Sequence, residues 1–377
     1  MFSVTSLPLV LVSALSVSAL TYGTKPIDYG YDVEKVKEQA VALATHSWEY
    51  GTAAEALLEF ENPEISVFGS SPFPIPSIPP ADVSALAYAK QHIYLNSSVL
   101  IPADGAVGDS ASLGAFAVLI GRTDPAYMDA SAREINYLLN IAPRWPNGAI
   151  SHREDVAELW ADFVYMAPPF MAYYAVATNN ATLLKESVRQ AKLYREVLVK
   201  PDGLWTHIIG PQSADSGSWS TGNGWAAAGM ARVLATVMKA PISKGWTSEI
   251  AELKQEIKEI LDAVMTVGLT ENGLLRNYLT DATWFGEVSG TTILTAVAYR
   301  MHVLDSKTFG SKYRKWADAG RATIATCVDA NGILGPAINP LWWGDRNPVY
   351  TGSPEGNSFA VLLAAAYRDC VQSGKCS

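Results

Sequence analysis

Apolar residues recur three and four positions apart along almost the whole chain, the spacing of helices that bury one face. No run shows the period of two that is typical of a half-buried strand. The pattern predicts an all-α protein, with start signals such as Pro354-Glu355 before some helices. The twelve predicted helical segments are roughly 33–45, 48–60, 82–96, 110–120, 127–140, 157–178, 182–198, 223–239, 247–267, 288–305, 309–328 and 355–371.

The links between these helices alternate between short ones and long ones rich in Gly, Trp and Asp. Five long links carry Asp or Asn followed by Gly and two mostly apolar residues, and a WEYGT turn at Trp48 forms a shorter sixth. The five are DGAV at Asp104, NGAI at Asn147, DGLW at Asp202, NGLL at Asn272 and NGIL at Asn331. A repeat of two helices is typical of a solenoid or a closed helical array. We predict six helical hairpins in a closed (α/α)6 barrel with these links at one end; an open superhelix is the alternative.

The N-terminal residues 1–19 contain no charged side chain and end in small residues at 17–19. This is typical of a secretory signal peptide, although a buried N-terminal segment is the alternative. Residues 20–377 are then expected to form a single catalytic domain. Glycosylation sequons at Asn96 and Asn180 favour a secreted protein. Three cysteines allow one disulfide near the C-terminus and leave one thiol unpaired.

Charge and motif content exclude several classes of function. The net charge is −9 and no cluster of Lys and Arg is present, which argues against nucleic-acid and anionic membrane partners. The five histidines show no metal-ligand spacing, and no CxxC or GxSxG motif occurs. We therefore expect no metal site; we also expect a monomer, although the sequence pattern does not determine the oligomeric state. A small anionic ligand stays possible, because a few local cations can hold one.

Carboxylates beside aromatic residues are the composition of a sugar-cleaving site. Asp162 follows Trp160 in LWADFVYMAPPF and is predicted inside an apolar first turn, where a carboxyl can act as an acid; a helix N-cap is the alternative. Asp109, in GDSASLG, has the same two interpretations. His207 lies in the repeated loop GLWTHIIG, and Arg153 lies in SHRED. The alternative for His207 is a purely structural role, and the alternative for Arg153 is a surface ion pair.

Several motifs occur together in one order: WEYGT, WAD with YMAPPFMA, LWTHI, WSTGNGWAAAGM, EVSGTTI and SPEGNSFAVLL. The ordered set resembles the unsaturated rhamnogalacturonyl hydrolases of glycoside hydrolase family 105 and the related unsaturated glucuronyl hydrolases of family 88. The resemblance implies an (α/α)6 barrel, with Asp162 as the catalytic aspartate and Asp109 as the second active-site aspartate. It also implies that a sugar subsite is lined by Tyr50, Trp160, His207, Trp219, Asn223 and Trp225.

The reaction implied by this resemblance is the hydration of a vinyl ether. Its substrates are oligosaccharides from pectin-type lyases, whose nonreducing uronic acid has a C4=C5 double bond. Asp162 would protonate C4 while water adds at C5, and the resulting hemiketal would open without a metal or organic cofactor. Two alternatives are an exo-acting hydrolase of saturated uronides, such as a glucuronidase with Asp162 and Asp109 as an inverting pair, and a non-catalytic carbohydrate-binding barrel.

One position departs from the family pattern. The family usually has an arginine between the two tryptophans of WSTGNGW, where it helps to hold the uronate carboxylate, and here the residue is Thr221. A neutral hydroxyl cannot replace a bidentate guanidinium. Either Arg153 or a protonated His207 binds the carboxylate, or the substrate differs.

Overall fold

Thirteen α-helices and two short strands form the structure of residues 26–376, the part of the chain that the computed structural model describes. The predicted signal peptide over 1–19 lies outside these residues. The elements are α1 (Val33–Leu43), α2 (Ser47–Glu61), α3 (Ser84–Lys90), α4 (Val107–Ser110), α5 (Gly114–Gly121), α6 (Pro125–Asn136), β1 (Leu159–Trp160), α7 (Phe163–Ala177), α8 (Ala181–Leu198), β2 (Ile208–Ile209), α9 (Ser220–Lys239), α10 (Thr247–Thr266), α11 (Val288–Leu304), α12 (Ser311–Ala325) and α13 (Pro354–Gln372). A single 3-10 turn (Ala111–Leu113) joins α4 to α5, so that the two act as one helix.

The helices form two concentric rings. The inner ring consists of α2, α4 with α5, α7, α9, α11 and α13, each packed against the next, and α13 packs back onto α2. The outer ring consists of α1, α3, α6, α8, α10 and α12, each packed against the inner ring. Since the inner ring closes on itself, the predicted (α/α)6 barrel of six hairpins is confirmed and the open superhelix is wrong.

Burial separates the two rings and explains the sequence pattern. Every side chain of α9 from Ser220 to Val237 is buried, whereas α10 buries only one apolar stripe that includes Leu253, Ile257 and Val264. Outer helices therefore show clear amphipathic spacing, whereas inner helices carry small or apolar residues on most sides. Within residues 26–376, no helix is both long enough and apolar enough to cross a membrane.

A buried ion network closes the end of the barrel where the inner helices finish. The Glu59 carboxylate of α2 accepts hydrogen bonds from Arg232 of α9 at 2.6 Å and from Arg300 of α11 at 2.8 Å. Arg300 also pairs with Asp369 of α13. Removing one partner from such a network would leave an uncompensated buried charge. The network therefore ties four inner helices together opposite the loop-rich end.

Four of the five predicted loop motifs form the same turn. Gly148, Gly203, Gly273 and Gly332 all have a positive φ, between 79° and 94°. In each turn the glycine N–H donates to the carbonyl three residues earlier, and that residue's N–H donates to the carbonyl after the glycine. Left-handed backbone favours glycine because it lacks a Cβ. The long links that contain these turns all precede inner helices, so they lie at one end of the barrel as predicted.

Some predicted boundaries are wrong. The segment 157–178 becomes helical only at Phe163, because β1 precedes it and pairs antiparallel with β2. A strand of two residues is too short for alternation to reveal it. The segment 82–96 forms a helix only from Ser84 to Lys90. The WEYGT motif is not a loop turn: it lies in the first turns of α2.

The cysteines pair as their number predicts. Cys370 near the end of α13 forms a disulfide with Cys376, and the sulfur atoms are 1.97 Å apart. Cys327 is unpaired and half-buried.

Candidate active site

A cavity opens at the end of the barrel where the inner helices begin. It encloses roughly 730 Å³, counting the part that is open to solvent. Five of the six inner helices contribute a residue at or next to their first turn. The wall contains six of the ten predicted site residues: Asp109, Arg153, Trp160, Asp162, His207 and Trp219.

Asp162 lies immediately before α7 and not within its first turn, which corrects the sequence prediction. It occupies the N-cap position, but its side chain makes no hydrogen bond to the helix, so the capping alternative does not explain it. Its Oδ2 lies 3.4 Å from Nε2 of His207 and has no aligned hydrogen-bond partner in the described part of the chain. The carboxyl is therefore free to act on a ligand in the cavity.

The pairing of β1 with β2 places His207 beside Asp162. The ring of His207 is 1% exposed, and its Nδ1 lies 2.9 Å from Oδ2 of Asp215. Burial lowers the pKa of His207, but contacts with Asp162 and Asp215 outweigh it and raise that pKa above its ordinary value. The net effect favours the imidazolium form.

Asp109 is the third residue of α4, and its environment differs from that of Asp162. Burial, together with the nearby charge of Asp162, raises the pKa of Asp109 well above its ordinary value, although Arg153 opposes the shift. His152 has its Nε2 3.8 Å from Asp109, and burial lowers the pKa of this histidine to about 4. The two shifts favour the protonated, neutral form of Asp109 and the uncharged form of His152.

Within the described residues, four tryptophans lie on the cavity wall, and three of them, Trp160, Trp219 and Trp343, come from the links before inner helices. The indole N–H of Trp160 donates to Glu158 at 2.6 Å, and that of Trp219 donates to Asn277 at 2.8 Å. Trp343 packs edge-on against Trp160, with ring centroids 5.3 Å apart. Because a protein acceptor satisfies the N–H group of Trp160, this partly exposed ring presents apolar surface on which a sugar can stack, whereas Trp219 is only 2% exposed.

Two predicted residues of WSTGNGW lie inside the barrel and not on the cavity wall. Trp225 packs between Tyr165 and Phe359, with centroid distances of 4.3 and 4.6 Å. The Asn223 amide is fully used by backbone groups: its Oδ1 accepts from the Trp205 N–H, and its Nδ2 donates to the Trp205 and Trp219 carbonyls. Both residues therefore hold the start of α9 in place.

The other two predicted site residues that are absent from the cavity wall are Thr221 and Tyr50, and packing explains both. Thr221 is fully buried beneath the wall. Tyr50 stacks on His92 with ring centroids 3.8 Å apart, away from the cavity. Gly224 meets α11, where a Cβ would lie 2.2 Å from Ile293, so the absence of a side chain here allows α9 and α11 to pack closely.

Sequence reasoning missed several residues of the site. Trp48 lies on the wall and donates its indole N–H to Glu355 at 2.7 Å. Burial, with the charge of Glu49, raises the pKa of Glu355 well above its ordinary value. Both residues lie in motifs on which the resemblance rests, WEYGT and SPEGN. The prediction chose Tyr50, but residues two positions apart on a helix face different directions, and Trp48 is the one that faces the cavity. Trp343 lies in a link without a motif.

Cations are scarce in the cavity. Among the described residues, Arg153 is the only arginine or lysine on the wall. Its nearest carboxylate partner, Asp155, lies at 4.0 Å, and its Nε has no hydrogen-bond partner in residues 26–376. The same residues contain no group of three or more His, Cys, Asp or Glu side chains placed to hold a metal ion.

Carboxyls and tryptophans gather around the mouth cavity of this closed helical barrel, and these are the residue types expected of a site that binds and cleaves sugars. Residues 110–337 match the sequence model of Glycosyl Hydrolase Family 88, which is more than half of the chain, and the chain belongs to this family. The match includes Asp162, Arg153 and His207 and begins one residue after Asp109. The resemblance inferred from the ordered motifs is confirmed.

Individual relatives agree with this assignment. The unsaturated rhamnogalacturonyl hydrolase YesR of Bacillus subtilis strain 168 is 25% identical over 219 residues, which are 55% of this chain and 59% of that protein. The chain thus matches about three fifths of that relative's length. A possible GH105 family member from Klebsiella pneumoniae has a TM-score of 0.70 at 14% identity, over 96% of this chain and 99% of that one. The unsaturated glucuronyl hydrolase of Bacillus sp. GL1 has a TM-score of 0.54 at 14% identity, over 72% and 76%. At these identities, the two structures support the fold alone.

Proposed function

We propose that the protein removes a terminal unsaturated uronic acid, with a C4=C5 double bond, from oligosaccharides made by pectin-type polysaccharide lyases. The observation that carries the proposal is the grouping of Asp162, Asp109 and Arg153 in one tryptophan-lined cavity. Family membership supports a glycoside hydrolase, and the name of the relative YesR supports an unsaturated uronide as substrate.

In this proposal Asp162 transfers a proton to C4 of the double bond. Positive charge then develops at C5, where a water molecule adds and returns its proton to the Asp162 carboxylate. The resulting hemiketal opens and releases the shortened oligosaccharide. Asp109 stays protonated and donates a hydrogen bond to the bound sugar or water, a role for which its environment suits it.

Two features favour an anionic sugar. The inner helices begin at the cavity, and helix N-termini carry partial positive charge. Arg153 supplies the guanidinium that position 221 lacks, and guanidinium binds carboxylate with two parallel hydrogen bonds. We assign the uronate carboxylate to Arg153.

A panel of lyase products tests the proposed function. Unsaturated uronides absorb near-ultraviolet light, and we expect this absorbance to disappear when the protein is incubated with lyase digests of pectin or rhamnogalacturonan. Activity confined to saturated uronides would instead support a glucuronidase-type hydrolase. Retained oligosaccharide affinity without any product would identify a binding barrel. Either result would refute the proposed reaction.

We also propose that the protein is secreted. Support comes from the uncharged, apolar segment 1–19, from the disulfide between Cys370 and Cys376, and from the exposed sequons at Asn96 and Asn180. The Asn180 Oδ1 caps α8 by accepting from the Leu183 N–H, which leaves its Nδ2 for a glycan. When the full chain is expressed in a eukaryotic secretory host, we expect it in the medium, with a gel mobility that increases after N-glycan removal. Retention inside the cells would contradict the proposal.

A further inference from the structure

His207 lies between two carboxylates, one inside the cavity wall and one behind it. Its Nε2 faces Asp162 at 3.4 Å, and its Nδ1 faces Asp215 at 2.9 Å. Asp215 is not part of the cavity wall, and its carboxylate faces the ring of His207. Any effect of Asp215 on the reaction therefore passes through the His207 ring.

Asp215 is held firmly in this position. Tyr278 donates its hydroxyl to the same Oδ2 that faces His207, and the Gly217 N–H donates to Oδ1 at 2.9 Å. The backbone of Asp215 also exchanges two hydrogen bonds of 3.0 Å with Ile208 in β2. Donors therefore approach both carboxylate oxygens, an arrangement that favours the ionised acid. An ionised Asp215 only accepts hydrogen bonds, so Nδ1 of His207 must carry a proton.

We propose that Asp215 and Tyr278 are positioning residues that fix the proton on Nδ1 of His207, so that the single proton used in the reaction is carried either by Nε2 or by the Asp162 carboxyl, which lie 3.4 Å apart without an aligned hydrogen bond. The inference rests on the proposed function. Before reaction the pair is either a carboxylic acid beside a neutral imidazole or a carboxylate beside an imidazolium. The proton passes to C4, and the water that bonds to C5 returns one proton to the pair, so the ring and the carboxyl end each cycle unchanged.

The surrounding charges agree with this arrangement. The titratable groups that face His207 are Asp162 before α7, Asp215 in its own link and His152 in the preceding link. Burial keeps His152 neutral at neutral pH, so the two carboxylates dominate. Contacts with His207 and Tyr278 outweigh burial and lower the pKa of Asp215. The anion of Asp215 therefore increases the proton affinity of His207.

The first test is the pH profile of kcat for Asp215→Asn on an unsaturated disaccharide. The amide keeps the shape of the side chain and removes the charge, so the pair loses its proton more readily. We expect the alkaline limb of the profile to move down by about one pH unit or more, with KM within about twofold of wild type. Asp215→Glu, which keeps the charge, should retain the limb. Tyr278→Phe removes a donor to Asp215, so the carboxylate accepts more strongly from His207 and the limb should move slightly upward; a limb that stays in place would remove Tyr278 from the proposal.

Asp318→Asn is a matched control, because Asp318 also accepts a tyrosine hydroxyl, from Tyr299 at 2.7 Å, but lies on the outer helix α12. It should leave the profile unchanged. An alkaline limb that stays in place in Asp215→Asn would overturn the proposal. A limb that moves equally in Asp318→Asn would overturn it as well, since the effect would then be general.

A second measurement does not depend on activity. The five histidines can be followed by NMR titration, and His207→Gln identifies the signal of His207. We expect the neutral ring to be protonated on Nδ1, and its titration midpoint to fall in Asp215→Asn. A neutral ring protonated on Nε2, or an unchanged midpoint, would overturn the proposal. If wild-type protein shows the expected NMR behaviour but no turnover, the proposed function fails while the arrangement of protons stands.

Discussion

Replacing Asp162 by asparagine is expected to lower kcat on an unsaturated uronide by about 100- to 10,000-fold, the usual contribution of a positioned general acid. The amide has nearly the same shape but cannot transfer a proton to C4. Because the Asp162 side chain caps no helix N–H, the substitution removes no hydrogen bond that holds α7. KM should therefore change little. Initial-rate kinetics, followed by the loss of ultraviolet absorbance, would measure kcat and KM.

The control for this experiment is Asp82→Asn, at an exposed carboxylate in the 3-10 turn before α3. Its activity should equal that of wild type, and thermal unfolding should show both variants folded. Normal turnover by a folded Asp162→Asn protein would refute every enzymatic reading built on Asp162, including the glucuronidase alternative.

The fold was predictable because each repeat carries local sequence signals for its helices and its turn. Outer helices such as α10 show the amphipathic stripe, and the turn glycines, such as Gly203, mark where long links begin. What the pattern could not reveal was β1, since two residues do not establish a period. The wrong start of the predicted segment 157–178 follows from this, because apolar Leu159 and Trp160 belong to the strand.

The site was predictable only in part. Asp162, His207 and Trp219 lie next to recognisable turns, and their places on the cavity wall follow from the ends of the inner helices. Asn223 and Trp225 look equally suitable in sequence, but α9 is buried on all sides, so its later residues face the barrel interior. Asp215 was missed because no periodicity in the sequence marks the short hairpin, closed by the bridge between Ile208 and Asp215, that returns its carboxylate to His207.

Arg153→Gln is the second substitution with a large expected effect, and it acts on substrate binding. Arg153 is the only guanidinium or ammonium group on the described cavity wall, and Thr221 is buried beneath it. Charge-assisted hydrogen bonds contribute about 1.5–3 kcal/mol, so KM should rise roughly 10- to 150-fold. If the contact is equally strong in the ground and transition states, kcat should change little. Initial-rate kinetics on an unsaturated disaccharide would measure the two parameters separately.

Esterification of the substrate shows whether Arg153 binds the carboxylate itself. A methyl ester removes the negative charge, so wild type should lose a large factor in kcat/KM, whereas Arg153→Gln should lose little more. The matched control is Arg189→Gln, since Arg189 is an exposed arginine paired with Glu186, and it should lose the same factor as wild type. An equal penalty in wild type and Arg153→Gln would mean that Arg153 does not contact the carboxylate. Cationic His207, already adjacent to Asp162, would then have to hold it, and the same ring cannot easily bind the substrate anion and share the Asp162 proton. The ester experiment therefore also bears on whether proton transfer and anion recognition are separated in this cavity.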